Sequence, residues 1–196
     1  EKTNGYSPYA IMIDSNGILF GTTSEGGDND SGVVFSMGSD GTNYIVLHSF
    51  VTRPDSSRRP CRLLESGNGF LYGIANETHE GTLFKLKKDG TCYTNLFEFS
   101  SSGDTEGIPA GLQELRDGAF IGVISGGRDG NGVVFRLNKD GTAFNGLQYF
   151  GNEGDGHPLN PNAELVQGND GNLYGTSENG GAFGSGTYGG GTLVVI

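Results

Sequence analysis

The sequence predicts an all-β protein, a β-propeller built from four blade repeats of about fifty residues. Three observations carry this. The stretch Ile18-Leu-Phe-Gly-Thr-Thr-Ser-Glu-Gly-Gly27 returns as Asn172-Leu-Tyr-Gly-Thr-Ser-Glu-Asn-Gly-Gly181, with weaker echoes at Phe70-Leu-Tyr-Gly-Ile-Ala75 and Ala119-Phe-Ile-Gly-Val-Ile124. Their shared glycines, Gly21, Gly73, Gly122 and Gly175, lie 52, 49 and 53 residues apart, and a period of this length marks a repeat architecture. Each unit divides into four short apolar runs separated by Gly, Asn and Asp, and no run keeps a helical period, so each reads as a four-stranded meander.

In the first unit, strand one runs from Tyr9 to Ile13 after Pro8, and Ser15-Asn-Gly17 turns the chain. Strand two spans Ile18 to Thr23 and strand three Gly32 to Met37, with a loop from Ser24 to Ser31 between them. Asp40-Gly41 is a hairpin signal that favours positive φ, and strand four runs from Asn43 to Phe50. The second unit gives Cys61–Glu65, Phe70–Ala75, Gly81–Leu86 and Cys92–Phe99; the third gives Gly111–Leu115, Ala119–Ile124, Gly132–Leu137 and Ala143–Phe150. Phe35, Phe84 and Phe135 keep phase, as do Asp40, Asp89 and Asp140, while Pro60, Pro109 and Pro158 mark unit starts. The repeats therefore span about 8–59, 60–108, 109–157 and 158–196 of a single propeller domain, either a four-bladed ring or part of a larger one. A glycine inside strand two weakens a strand, and its recurrence points to close approach of an adjacent blade. Phe35, Phe50, Phe84, Phe99, Phe135 and Phe150 are the expected core.

The fourth unit is irregular. It opens with Asn162–Gln167 and Asn172–Ser177, and two alignments of its end stand open. In one, Gly191-Thr-Leu-Val-Val-Ile196 matches Gly81-Thr-Leu-Phe-Lys-Leu86, which leaves strand four missing and an edge open to a partner chain or further blades. In the other, Gly186-Thr-Tyr188 is a clipped strand three and Thr192–Ile196 is strand four, which closes a four-bladed ring.

The composition narrows the partners. The chain of 196 residues holds 37 glycines, more than twice the usual share, without the Gly-X-Y period of collagen. A net charge of −11 disfavours nucleic acid and anionic membranes, and no apolar run is long enough to span a bilayer. Cations, neutral glycans and basic partners remain compatible with such a surface. No leader is visible at Glu1, as expected for a mature form or an excised part. Cys61 and Cys92 lack metal-type spacing and read as free, partly buried thiols.

These residues resemble the Gloeobacter/Verrucomicrobia-type tandem repeat of secreted bacterial proteins. Leu173-Tyr-Gly-Thr176, Gly180-Gly181, Gly81-Thr-Leu-Phe84, Lys139-Asp-Gly-Thr142 and Asp155-Gly-His-Pro158 carry the resemblance over practically the whole chain. It implies a propeller-like fold, export and often surface attachment, and brings no established activity. Strand two departs from it at Ile74-Ala75 and Val123-Ile124.

Candidate chemistry is sparse. Asp28 and Asp30, with Asp129 and Asn131 as their counterparts, offer alternate oxygens of the kind that hold Ca²⁺, although turn-making is the commoner use of such residues. The Asp-Gly-Thr turns at Asp40, Asp89 and Asp140 resemble sialidase-type Asp boxes and read as hairpins. His79 and His157 fall on loops of one face and His48 on a strand. Tyr6, Tyr9, Tyr149 and Tyr188 sit at loop or strand ends, where an aromatic platform can stack a sugar, and Glu25 and Glu178 occupy nearly equivalent loop positions in the repeat. No Gly-x-Ser-x-Gly elbow is present. The leading expectation is a non-catalytic exported module that binds or displays, with a glycan or cell-envelope ligand. The second is assembly through the edge of the fourth repeat into a homo-oligomer, as ring or filament. The third is a glycan hydrolase or lyase using loop carboxylates.

Overall fold

A computed structural model describes residues 4–51, 60–77, 80–100, 105, 107–126, 132–150, 159–161, 165–179 and 192–195. The chain forms two compact units, Glu1–Glu98 and Phe99–Ile196. The first unit holds two antiparallel meanders. These are β1 (Gly5–Ile13), β2 (Ile18–Gly26), β3 (Val33–Gly38) and β4 (Ile45–Ser49), then β5 (Pro60–Glu65), β6 (Phe70–Glu77), β7 (Glu80–Lys87) and β8 (Thr94–Phe99), whose last residue falls in the second unit. The second unit holds β9 (Ile108–Glu114), β10 (Phe120–Ser125), β11 (Val133–Leu137) and β12 (Asn145–Tyr149) in the same order. Its other sheet is built on β15 (Leu173–Asn179), flanked by β13 (Leu159–Pro161) and β14 (Val166–Gln167) on one side and β16 (Thr192–Val195) on the other. No described helix is long and apolar enough to cross a membrane.

The register identifies what the first three sheets share. Gly21 faces Phe35, Gly73 faces Phe84 and Gly122 faces Phe135 across the second and third strands. A Cβ on Gly73 would meet the Phe84 ring at 2.3 Å and the carbonyl of Arg62 at 2.6 Å. The glycine is therefore required by a ring of its own sheet laid across it, and the sequence expectation of an adjacent blade is corrected here. The aromatic ring needs a flat bed, and only a residue without a side chain provides it.

The tight ends obey one pattern. Gly38 N–H donates to Thr42 O, Lys87 N–H to Thr91 O and Asn138 N–H to Thr142 O, closing three like hairpins. Asp40, Asp89 and Asp140 each accept from the backbone N–H and hydroxyl of the threonine two residues on. The residue after that threonine takes positive φ, at Asn43, Cys92 and Ala143. This turn aims Tyr44, Tyr93 and Phe144 back to stack on Phe35, Phe84 and Phe135, with centroids 5.1, 5.7 and 5.4 Å apart. The hairpin reading of the Asp-Gly-Thr turns holds.

In the first unit sheet packs on sheet through the phenylalanine that follows the fourth strand, and in the second unit Phe99 makes the like ring contact. Phe50 meets Phe84 edge-on at 5.3 Å, and Phe99 meets Phe135 in the same way at 5.3 Å. Phe150 joins Leu165 and Leu173 in the core of the second unit. All six expected core phenylalanines are buried.

Several boundaries shift. The first strand begins at Gly5, because a bulge at Tyr9 lets pairing continue past Pro8, which sits opposite Thr23. Pro60 and Pro109 hold the same place, opposite Ala75 and Ile124. In the fourth sheet that place belongs to Pro161, opposite Ser177; Pro158 lies outside the described residues. The third and fourth strands are joined later than the sequence suggests, at Ile45, Thr94 and Asn145, since the preceding residues form the turn. β16 pairs Val194 with Gly175 and Thr192 with Ser177. This is the register of Phe84 on Gly73 and Thr82 on Ala75, so β16 is a third strand and the alignment with an open edge is the one observed. Among the described residues no fourth strand covers it. Cys92 is a free thiol and is exposed, correcting the expectation of partial burial, because the left-handed turn directs it outward.

Candidate functional site

Strand alternation puts the tight turns at one end of each sheet and the longer loops at the other. At the loop end of the first sheet, β1 and β2 stay paired as far as Gly5 opposite Gly26, which brings Tyr6 opposite Glu25. The 27–32 loop then folds back, with Gly32 N–H donating to Gly26 O at 3.0 Å. Asp30 adopts positive φ at 56° inside this loop. That conformation delivers its carboxylate to both strands: Oδ1 accepts from Gly26 N–H at 3.0 Å and from the Tyr6 hydroxyl at 2.7 Å. Asp28 lies beside it, exposed, with its N–H donating to Ser49 Oγ at 2.8 Å.

The electrostatics follow. The hydrogen bond to Asp30 pushes the Tyr6 hydroxyl up to about 12, with burial and the negative charges of Asp30 and Glu25 acting in the same direction. The phenol therefore stays protonated and donates to a carboxylate, while its ring remains 43 % exposed. Tyr9, three residues along the same strand, is 68 % exposed. The arrangement offers exposed aromatic surface beside carboxylates that accept hydrogen bonds from hydroxyls, which is the chemistry of a sugar-contacting patch.

Of the residues singled out in the sequence, Tyr6, Glu25 and Asp30 are brought together, with Tyr9 and Asp28 on the same strand and loop. Asp30 Oδ1 serves the turn and the tyrosine, and among the described residues no three His, Cys, Asp or Glu side chains gather as a metal-binding group. Tyr149 sits in the other unit, half exposed, its ring lying along Gly146. Glu178 is placed in β15 by its backbone. Tyr188, Asp129, Asn131, His79 and His157 lie outside the described residues.

Sequence reasoning missed the Tyr6–Asp30 bond, since nothing in a Gly-Gly-Asp-Asn-Asp stretch announces which carboxylate turns inward. It also missed His48, which packs against the next sheet, stacked on Tyr93 at 3.6 Å and edge-on to Phe50 at 4.9 Å. Burial holds that imidazole down to about 4. The carboxylates of Asp14, Asp40, Asp89 and Asp170 are all held below the ordinary range, chiefly by hydrogen bonds from Lys88, Thr42, Thr91 and Tyr174 respectively. These four carboxylates hold the sheets' turns.

The sequence pattern of one repeat family matches residues 1–189. The chain belongs to the Gloeobacter/Verrucomicrobia repeat family. Among curated proteins none matches significantly. Similar folds occur in solved structures at low identity. A chain of a nidogen/laminin complex is 14 % identical with a TM-score of 0.59, covering 87 % of this chain and 56 % of that one. The extracellular domain of a putative one component system from B. thetaiotaomicron is 12 % identical with a TM-score of 0.59, covering 95 % and 21 %. An exo-β-1,3-galactanase from Phanerochaete chrysosporium is 11 % identical with a TM-score of 0.56, covering 87 % and 41 %. The repeat chain thus spans about a fifth to just over half the length of these structures.

Proposed function

We propose that the four sheets are blades of a β-propeller, a closed ring or part of a larger one, that serves as an exported, non-catalytic binding or display module for glycan or cell-envelope ligands. The observation that carries this reading is the Tyr6–Asp30 pair, with Glu25 opposite Tyr6 and an exposed aromatic surface continuing to Tyr9. A protonated phenol locked to a carboxylate fixes the ring at little further entropic cost on binding. The net charge of −11 favours neutral sugars over anionic ones. Similarity to an extracellular domain and to a galactanase agrees with export and with glycan contact at the level of fold.

The test is calorimetry against neutral oligosaccharides, starting with β-1,3-linked galactose oligomers, for the native chain, Tyr6→Ala and Tyr9→Ala. Binding that weakens at least roughly tenfold in Tyr6→Ala supports the reading. Absence of binding across a neutral glycan array overturns it. Release of reducing sugar by the native chain would replace it with a hydrolase.

A second reading rests on the register of β16. Its outer edge stands where the other sheets carry a fourth strand, and an extended segment of another chain would pair there. Loss of a solution oligomer when a proline is placed at Leu193 would support it.

A further inference from the structure

From Asn4 to Leu47 the chain carries Asp14, Glu25, Asp28, Asp30 and Asp40 and no lysine, arginine or histidine. Asp14 is paired with Lys88, and Asp40 caps its hairpin through Thr42. The other acids, Glu25, Asp28 and Asp30, belong to the loop end of the first sheet, where Tyr6 and Tyr9 stand. Asp30 is tied to the Tyr6 hydroxyl. Neither Glu25 nor Asp28 enters an ion pair among the described residues.

The aromatic surface among these carboxylates is held in place. Ser7, between Tyr6 and Pro8, takes φ of 57°, and its carbonyl accepts from the Ser24 hydroxyl at 3.3 Å. Because the Tyr6 hydroxyl is committed to Asp30, the residue offers a ligand its ring, 43 % exposed, with Tyr9 68 % exposed further along the strand. The face of an aromatic ring is the negative end of its quadrupole and attracts a cation, as a carboxylate does. A neutral sugar can use the rings but brings no charge to Glu25 and Asp28. An anionic sugar is repelled by them. A sugar bearing an ammonium engages rings and carboxylates together.

We infer that this patch selects glycans carrying a primary ammonium, of the 2-amino-2-deoxyhexose class, over the same glycans without it. The inference rests on the glycan reading proposed above and names the feature of the sugar that is recognised. An ammonium over the Tyr6 ring meets the carboxylate of its cross-strand neighbour Glu25, with Asp28 adding charge from the 27–32 loop. A basic peptide shares the charge but lacks the flat C–H face that a sugar lays on tyrosine.

Calorimetry on paired oligomers tests it: a glucosamine tetramer against the N-acetylglucosamine tetramer of the same linkage, at about pH 6, where the sugar amine is protonated. The amine form binds about fivefold to thirtyfold tighter, the sum of one ring–cation contact and one exposed ion pair. That advantage shrinks when salt is raised to about 0.5 M. Glu25→Gln/Asp28→Asn brings the ratio of the two affinities towards one, and a ratio that it leaves unmoved overturns the inference. Tetralysine bound as tightly as the glucosamine tetramer overturns it in favour of a basic peptide. Equal affinities, or binding of neither tetramer, overturn it as well. Whether the glycan reading falls too is decided separately, by the neutral oligosaccharides.

Discussion

The ring of Phe84 lies directly over Gly73, its partner across β6 and β7, so close that a methyl group there would meet the ring at 2.3 Å. Gly21 under Phe35 and Gly122 under Phe135 repeat the arrangement. Tyr93 then stacks on the outer side of Phe84, and Phe50 closes on its edge. The glycine is thus the floor of an aromatic stack that spans two sheets. Gly73→Ala is expected to cost about 1–3 kcal/mol by overpacking, read from urea unfolding. The cost should shrink in a Phe84→Leu background, because the clash needs the ring. Equal costs in both backgrounds would mean that the glycine answers to something else.

The hairpin turns give a stabilising substitution. Cys92 and Ala143 hold φ of 58° and 55°, in the left-handed region that residues with a Cβ enter at a cost. Asn43 fills the same place in the first sheet and tolerates that region better. Cys92→Asn and Ala143→Gly should each raise stability by roughly 0.5–1 kcal/mol. Asp89→Ala should lower it by about 1 kcal/mol, since both bonds to Thr91 are lost. A melting temperature unmoved by Cys92→Asn would show that the turn carries no strain.

Much of this was legible in the sequence because each repeat states its own phase. Gly73, Phe84 and Asp89 recur with their partners at spacings that differ by at most three residues, and the register confirms them as one structural set. What was not legible turns on contacts between residues far apart in the chain or on single backbone conformations. Pro8 reads as a boundary, yet a bulge at Tyr9 carries pairing on to Gly5, and only that extension brings Tyr6 opposite Glu25. Asp30 reaches Tyr6 because its own φ is positive, a property that Asp28 does not share and that composition does not reveal. The fourth unit admits two alignments by wording, and hydrogen bonding of Val194 to the strand position of Gly175 decides between them.

His48 provides a pH dependence with a defined sign. Burial against Phe50 and Tyr93 lowers its folded value to about 4 from an ordinary 6.5, so the folded state favours the neutral ring. Its contribution is fully present above pH 6.5 and is lost as pH falls towards 4, where the unfolded chain takes up a proton that the folded chain refuses. Allowing for solvent screening, the loss is on the order of 2 kcal/mol. Unfolding free energy measured between pH 7 and 4 should fall accordingly, and His48→Phe should flatten that slope. A variant with the native slope would remove His48 as its cause.

Lys88 ties the first two sheets together and sets a second, lower window. Its ammonium reaches buried Asp14 at 2.9 Å, pairs with Glu65 on its own sheet, and lies 5.8 Å from the centre of the Phe20 ring. The hydrogen bond from Lys88, aided by the backbone N–H of Ile18, holds the Asp14 carboxyl down to about 2 from 3.8. A lowered carboxylate stabilises above its ordinary value, and the contribution is lost as pH falls from 3.8 through 2, below the histidine window. Lys88→Met should raise the Asp14 value, seen by NMR titration, and should destabilise more than Asp14→Asn/Lys88→Met does relative to Asp14→Asn alone. Breaking one partner strands the buried carboxylate, whereas removing both leaves no stranded charge. Strictly additive effects in that cycle would mean that the two sheets are held by their phenylalanines without help from the ion pair.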